Sequence, residues 1–251
     1  MSVDGVVVTH GPSPDLGACL AALGPQVDEL VVIANLPLEL QLPPDIRLLE
    51  NERPLGFGAN VNRGVAATKS NFVVIANPDT EPAPDAVSTL AAFASADPKR
   101  GIVGPQLRYP DGRWQPSRRR FPTVAGTLVR RTPLRYVARP FERQRSHYLL
   151  DERPDQPVRA DWMIAAFLLL RRELLDQLGG FDEGFRLYGE DIELCYRAAK
   201  AGWERWYVPE AVVTHRYAAV IDRRLLTRRT LWHWRGIARF VRKHPERLLA
   251  L

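Results

Sequence analysis

One pentapeptide, Val-Val-Ile-Ala-Asn, occurs twice in this chain, at residues 31–35 and again at residues 73–77. In each copy the apolar residues follow one another without alternation, which is typical of a strand that is covered on both faces. Segments with helical periodicity separate the apolar runs in the N-terminal part of the chain. This order predicts an α/β fold with a mostly parallel central sheet and helices on both of its faces.

The pattern of apolar residues also predicts approximate bounds for the strands and helices. We predict strands at 6–8, 30–34, 46–49, 72–76, 166–170, 203–208 and 212–214. We predict helices after Ser13 and at 59–68, 84–95, 172–178, 190–201 and 223–243. Residues 108–161 are rich in arginine and proline and weakly periodic, so we expect long loops there.

Two residues at predicted strand ends could bind a ligand, because open α/β sheets bind ligands outside the carboxyl ends of their strands. Asp79 follows the second pentapeptide copy, and Pro78 forces Asn77 into an extended conformation that ends the strand. His215 ends a later strand and could complete an oxygen-and-nitrogen site for a divalent cation with Asp79. A turn carboxylate and a structural histidine are the alternatives, and spacing alone leaves both open.

A glycine-spaced loop, LGFGANVNRG at residues 55–64, leads into a predicted helix. Glycines allow backbone amides to approach a ligand, and a helix N-terminus suits phosphate. The loop lacks the Lys-Ser/Thr ending of a nucleotide-binding P-loop, so it does not indicate an NTPase.

Three carboxylates, Glu190, Asp191 and Glu193, stand at the start of a predicted helix. Capping and interaction with the helix dipole explain one or two of them. Adjacent acids after a glycine could also present one carboxylate to a substrate hydroxyl as a general base.

The net charge of +6 comes from arginines that cluster in residues 108–145 and 216–247. In the second cluster they alternate with tryptophan and leucine, which predicts a basic amphipathic helix. Such a face suits anionic lipid, phosphorylated ligands or plain solvent, whereas the carboxylate block and the lack of a recognised module count against nucleic acid.

The chain offers little sign of export. Cys19 and Cys195 are too few for a disulfide framework, so we expect buried thiols in a reducing compartment. The longest apolar run, at 162–170, is too short to span a bilayer, and no basic segment followed by an apolar one opens the chain. We therefore expect a cytoplasmic protein.

Taken together, several segments resemble glycosyltransferase family 2, and within it the bacterial rhamnosyltransferase-like branch. The segments, which span roughly residues 50–215, are NERPLGFGANVNRG, VVIANPDTEP, VGPQLRYPDGRWQPSRRRFPT, LLLRRELLDQLGGFDEGFRLYGEDIELCYRAAKAGW and YVPEAVVTH. Their order and spacing agree with the family, and the GGFDE to GW block is more specific than any single motif.

The resemblance implies a GT-A fold in residues 1–217, with a nucleotide-sugar half at 1–105, an acceptor half at 106–217, and a basic amphipathic helical extension at 218–251. It implies Asp191 as the catalytic base with Glu190 beside it, and Mg²⁺ or Mn²⁺ held by Asp79 and His215. Residues matched to donor binding are Thr9, Asn35, Gly56, Phe57, Asn62, Asn77, Asp79, Arg118 and Arg119. Residues matched to acceptor binding are Trp162, Ala165 and Ala166.

The activity implied is metal-dependent, inverting transfer of a single sugar from a dTDP- or UDP-sugar. L-rhamnose from dTDP-L-rhamnose is the first choice of donor, and a lipid-linked or cell-envelope glycan, such as one on polyprenyl diphosphate, is the acceptor. The basic helix would lie on the inner face of the plasma membrane.

The chain departs from the family at three places. Ala34–Pro37 lacks the usual acid, Thr9-His10-Gly11 replaces an aromatic-Asn pair, and Ala165-Ala166 replaces Gly-Ala or Gly-Ser. An alternative is therefore a degenerate member that binds nucleotide or glycan, or assists an active transferase, without turnover.

Overall fold

The two copies of the pentapeptide lie on either side of the same strand. The computed structural model describes residues 1–38, 42–122, 149, 152–216 and 228–248. Strand β1 (Val3–Thr9) pairs in parallel with β2 (Leu30–Ala34) and with β4 (Phe72–Ala76), while β3 (Ile46–Glu50) pairs with β2 at the sheet edge. The pentapeptides are therefore two buried parallel strands that end at one edge of the sheet, as predicted.

Later strands extend this sheet. They are β5 (Thr80–Pro82), β6 (Arg100–Arg108), β7 (Trp114–Gln115), β8 (Arg118–Arg119), β9 (Val158–Arg159), β10 (Trp162–Met163), β11 (Phe167–Arg171) and β12 (Glu204–His215). The strand order is β3-β2-β1-β4-β11-β6-β12-β5, with β7 beside β6 and β9 beside β12. Strand β11 runs antiparallel to both of its neighbours, whereas β6 and β12 are parallel, and β8 and β10 form a separate ribbon.

Helices cover both faces of the sheet. They are α1 (Leu16–Leu23), α2 (Phe57–Ala66), α3 (Ala86–Ser95), α4 (Arg172–Leu178), α5 (Glu190–Lys200) and α6 (Arg228–Lys243), with 3₁₀ turns at Gly24–Gln26 and Pro245–Leu248. One core cluster packs alternate strand residues such as Val7 and Val74 against α1 and α3. The other packs the intervening residues, such as Val6 and Ile75, against α2, α4 and α5. Each fully buried side chain of this kind contributes roughly 1.5–3 kcal/mol relative to exposure.

Several strands differ from the prediction. The short strands β5, β7, β8, β9 and β10 were not predicted, and three of them (β7, β8 and β9) lie in residues 108–161, where long loops were expected. Residues 123–148 of that segment lie outside the described residues.

The longer strands β6 and β12 also differ from the prediction. Strand β6 was not predicted, because Gly101, Gly104 and Pro105 interrupt its apolar pattern. Pro105 lies opposite Val208, where β12 shifts register, so its missing N–H falls at an irregular position. Strand β12 is one strand with this shift, where two strands were predicted.

The two cysteines are buried free thiols, as predicted. Cys19 lies in α1, where its Sγ is 3.5 Å from the carbonyl oxygen of Asn77. Burial raises the pKa of both thiols to about 12, so both are protonated at neutral pH.

Candidate active site

Asp79 and His215 meet at the carboxyl edge of the sheet. Strand β5 pairs antiparallel with the end of β12, and His215 lies opposite Thr80, next to Asp79. The His215 Nε2 atom is 3.5 Å from Asp79 Oδ1, and the amide of Arg216 donates to the Asp79 carbonyl at 2.9 Å. The fold therefore brings together two side chains that lie far apart in the sequence.

This pair could hold a divalent cation. The 3.5 Å separation lets one ion contact both atoms with little movement, since such bonds are about 2.0–2.2 Å long. His215 Nδ1 is 3.0 Å from Gln115 Oε1, and a hydrogen on Nδ1 would leave the Nε2 lone pair directed toward Asp79. Within the described ranges, no three or more His, Cys, Asp or Glu side chains form a metal cluster. A cation here would take its remaining ligands from substrate phosphates or water, as Mg²⁺ commonly does.

The second centre is the carboxylate pair at the start of α5. Asp191 Oδ1 accepts the amide of Ile192 at 2.8 Å, and the carboxylate also accepts the amide of Ala165. Burial raises the pKa of the Asp191 carboxyl, while these amides and Arg119 act in the opposite direction. Burial therefore outweighs the helix N-terminus, which on its own would lower the pKa.

Glu190 is the more deeply buried member of this pair. Burial, and then the neighbouring charge of Asp191, raise the pKa of its carboxyl. The carboxyl accepts the amide of Tyr188 and its own amide, and Oε2 has no hydrogen-bond partner among the described residues. Two adjacent carboxyls with raised pKa values favour a state in which the pair carries a proton. Asp191 is the half-buried member that a substrate hydroxyl could reach.

A short backbone segment joins the two centres. The amide of Ala165 bonds to Asp191, and the carbonyl of Ala166 accepts the amide of Asn77 at 2.8 Å. The predicted acceptor residues Ala165 and Ala166 therefore lie between the carboxylate pair and the turn that carries Asp79.

The predicted residues Arg118, Arg119 and Trp162 lie on the β8–β10 ribbon, with Trp162 opposite Arg119. Arg119 is buried, close enough to Asp191 to affect its pKa. Arg118 pairs with Glu152 at 2.7 Å, and Trp162 Nε1 donates to the carbonyl of Arg120 at 2.8 Å. The ribbon thus brings cationic and aromatic side chains to the Asp191 side of the site.

Asn35 and Thr9, predicted to bind the donor, use their side chains to hold loops. Asn35 Oδ1 accepts the amide of Leu55 at 2.7 Å and the side chain of Asn51 at 2.9 Å, and its Nδ2 donates to the carbonyl of Leu55 at 3.1 Å. The Thr9 hydroxyl donates to the carbonyl of Gly11 at 2.6 Å. Both lie at the expected edge, but these bonds occupy their polar atoms within the protein.

Gly56, Phe57 and Asn62, which the resemblance matches to donor binding, contact the loop that precedes α5. A Cβ at Gly56 would overlap the carbonyl oxygen of Phe185, and the amide of Phe57 donates to the carbonyl of Arg186 at 3.2 Å. Asn62 pairs with both the N–H and the C=O of Phe181, at 2.8 and 2.9 Å. The start of α2 is therefore packed against the loop that precedes Asp191.

Two functional candidates, Gln115 and Lys243, were not predicted from the sequence. Gln115, which orients His215, lies in a segment that carried the resemblance but suggested no role for it. Helix α6 was expected only as a surface element, yet Lys243 reaches Glu193 at 2.6 Å. The sequence signal that could have indicated this contact is a third acid, Glu193, set four residues before Arg197, together with a basic helix later in the chain.

Comparison with known proteins gives a consistent result. A family profile described as "Glycosyltransferase like family 2" matches residues 32–233. The chain is 33% identical over 241 residues to "N-acetylglucosaminyl-diphospho-decaprenol L-rhamnosyltransferase" of Mycobacterium tuberculosis, covering 85% of this chain and 75% of that protein. It is 35% identical over 81 residues to "Rhamnosyltransferase WbbL" of Escherichia coli, covering 32% of this chain and 30% of that protein.

Solved structures share the fold at low identity. "Crystal structure of GalNAc-T7 with UDP, GalNAc and Mn2+" superposes with a TM-score of 0.69 at 17% identity, covering 96% of this chain and 47% of that one. "Mannosyltransferase PcManGT from Pyrobaculum calidifontis in complex with GDP-Man and Mn2+" gives a TM-score of 0.55 at 20% identity, covering 85% and 56%. The chain spans about half the length of these structures, and the predicted GT-A fold is confirmed.

Proposed function

The chain belongs to glycosyltransferase family 2, and from that premise we propose that it transfers one L-rhamnosyl residue from dTDP-L-rhamnose to a polyprenyl-diphosphate-linked glycan with inversion. The observation that carries the proposal is the link through Ala165 and Ala166 between the half-buried Asp191 carboxylate and the Asp79–His215 pair. The sugar and acceptor rest on two relatives named as rhamnosyltransferases, one of them also named for a diphospho-decaprenol acceptor.

In the proposed reaction, Asp191 accepts the proton of the acceptor hydroxyl as that oxygen attacks the anomeric carbon. The new C–O bond forms on the face opposite the nucleoside diphosphate, whose bond to the sugar breaks with its electron pair. Arg119, buried beside Asp191, would hold the carboxylate in its ionised state. A cation on Asp79 and His215 would supply charge stabilisation for the departing diphosphate.

A donor screen tests this proposal. The purified chain, with MnCl₂ or MgCl₂ and a glycan acceptor on a short polyprenyl diphosphate, should turn over dTDP-L-rhamnose faster than UDP-glucose, UDP-N-acetylglucosamine or GDP-mannose. EDTA should stop the reaction, and NMR should show a product of inverted anomeric configuration. A different preferred sugar would refute the donor assignment, and retained configuration would refute the inverting mechanism.

The donor screen, combined with a binding measurement, distinguishes an active transferase from a degenerate family member that binds without turnover. Calorimetric titration with dTDP and UDP measures nucleotide binding without turnover. Tight binding with no transfer of any sugar would favour a binding protein, and the acid-free Ala34–Pro37 turn is the feature that suggests one.

We also propose that the outer face of α6 binds an anionic membrane surface at the cytoplasmic side. Arg235 and Arg242 are exposed on this helix, and Trp232 and Trp234 are half-buried. Across the described parts of the chain, no helix has both the length and the apolar character needed to cross a bilayer. Association would therefore rest on electrostatic attraction together with aromatic contact at the interface.

Vesicle co-sedimentation tests this surface. Full-length protein should bind phosphatidylglycerol vesicles and not phosphatidylcholine vesicles, and 0.5 M salt (roughly a 4 Å screening length) should release it. Changing both Arg235 and Arg242 to glutamine should weaken binding by roughly 30-fold, at about 1 kcal/mol per charge. The matched control changes two exposed lysines elsewhere, Lys69 and Lys99, to glutamine. Equal losses in both double variants would refute a specific role for α6.

A further inference from the structure

The turn just before the carboxylate pair has an unusual backbone. Tyr188 and Gly189 both lie in the left-handed region, with φ of 72° and 97°. A tyrosine in this region costs roughly 1–3 kcal/mol, so the surrounding structure must hold it there. Because the turn leads directly into Glu190 and Asp191, its conformation sets where the Asp191 carboxylate points.

The turn is held from within by two neighbouring residues. The carboxyl of Glu190 accepts the amide of Tyr188. The ring of Phe185 packs against Gly189, where an added Cβ would lie 3.1 Å from the ring.

Helix α6 holds the same turn from the outer side. Gly236 lies against the carbonyl oxygen of Tyr188, and a Cβ built at Gly236 would overlap that oxygen. The backbone of Gly236 also lies near Gly189. A glycine on α6 thus lets the helix approach the turn at backbone distance.

Three ion pairs made by two residues of α6 fix the helix in this place. Arg239 donates to both carboxylate oxygens of Asp182, at 2.7 and 3.1 Å, and Lys243 reaches Asp182 and Glu193 at 2.6 Å each. Burial alone would raise the pKa of Asp182, but the bonds from Arg239 and Lys243 outweigh it and hold the pKa well below its usual range. Glu193 is fully buried and also takes a two-oxygen contact from Arg197, so this attachment joins α6 directly to α5.

We propose that Gly236 and Lys243 of α6 are positioning residues for Asp191. Through them the helix holds the Tyr188–Gly189 turn against the core and fixes the orientation of the carboxylate. The inference rests on the proposed role of Asp191 as the base, and it assigns to α6 a part in the reaction that is separate from any surface role.

The first test replaces Gly236 with alanine, with Gly17→Ala as the matched control. Both glycines are helical, so alanine adds up to about 1 kcal/mol of helix stability at either position. At Gly17 nothing lies within 4 Å of the new Cβ, whereas at Gly236 it meets the Tyr188 carbonyl. We expect Gly236→Ala to lower kcat by roughly 10- to 100-fold, with the donor KM little changed and the acidic limb of the pH profile moved. Gly17→Ala should match the wild type, and wild-type kcat and pH profile in Gly236→Ala would overturn the proposal.

A second pair of variants applies if Gly236→Ala fails to fold. Lys243→Gln removes the contacts to Asp182 and Glu193, and the matched control Lys99→Gln removes an exposed lysine charge outside α6. Only Lys243→Gln should lower kcat and shift the pH profile. Equal behaviour of these two variants would count against the proposal.

One readout does not depend on sugar transfer. Hydrogen–deuterium exchange at the amides of residues 185–191 should speed up in Gly236→Ala and Lys243→Gln and stay at the wild-type rate in the two controls. If the wild type transfers no sugar, the proposed function fails, while the exchange result still decides whether α6 holds the turn. Unchanged exchange in both test variants would overturn the inference even if the enzyme is active.

Discussion

Replacing Asp191 with asparagine is expected to reduce sugar transfer by roughly 10²- to 10⁴-fold, the range that general-base catalysis commonly contributes. An amide cannot accept the hydroxyl proton, yet it keeps the shape of the side chain and a carbonyl oxygen for the amide of Ile192. Initial rates with the preferred donor measure the effect. Asp176→Asn, an exposed aspartate on α4, is the matched control and should retain wild-type activity. Transfer that survives Asp191→Asn would refute Asp191 as the base.

The same variant should be at least as stable as the wild type at neutral pH. Burial raises the pKa of both Glu190 and Asp191 above the unfolded-state values, so ionising them in the folded protein costs free energy. That free-energy cost is absent below about pH 4, the pKa of a carboxyl group in the unfolded chain. It grows as the pH rises toward the raised pKa values of the folded protein. Thermal unfolding of Asp191→Asn should therefore show a Tm gain at pH 8 that vanishes near pH 4.

The raised pKa also predicts the pH dependence of the wild type. The base works only when it is ionised, so kcat/KM should fall as the pH drops through the raised pKa of the pair. This fall in kcat/KM should occur at a higher pH than it would if the base were an aspartate with an ordinary pKa.

The second large effect is expected at the metal side. Asp79→Asn removes the negative charge from one of the two side chains that would contact the cation, so transfer should drop by roughly 10²-fold or more. Titration calorimetry should show that Mn²⁺ no longer strengthens dTDP binding. The matched control is Asp85→Asn, an exposed aspartate before α3. Wild-type turnover and EDTA sensitivity in Asp79→Asn would refute the metal assignment without affecting that of Asp191.

Much of the sheet could be predicted because its strands are continuously apolar. The runs at 30–34 and 72–76 match β2 and β4 residue for residue, since covering by helices on both faces leaves no polar position in either strand. Strand β6 escaped prediction because it contains a proline and glycines, which normally end strands, and its Pro105 is accommodated opposite an irregularity in β12. That accommodation depends on the partner strand, which local pattern cannot reveal.

The sequence predicted which residue types form the candidate site, but it could not predict which of them contact one another. Asp79 and His215 meet because β5 pairs with β12 in one particular register, and no local sequence signal sets that register. The resemblance matches Asn62 to donor binding, and its side-chain amide bonds to the peptide groups of Phe181, which lies far away in the sequence. The burial of Glu193 was not predictable either: it is buried with Leu194 and Ala198, because Arg197 and Lys243 neutralise its charge.

The antiparallel strand β11 has a consequence for how the chain folds. Among the strands of the described residues it alone joins β4 to β6, so strands made early in the chain form one sheet only after residues 167–171 are available. Until then β4 and β6 each expose an unpaired apolar edge, which is the kind of surface that associates with other chains. We therefore expect slow, non-local folding, with aggregation during refolding competing most strongly before β11 is inserted.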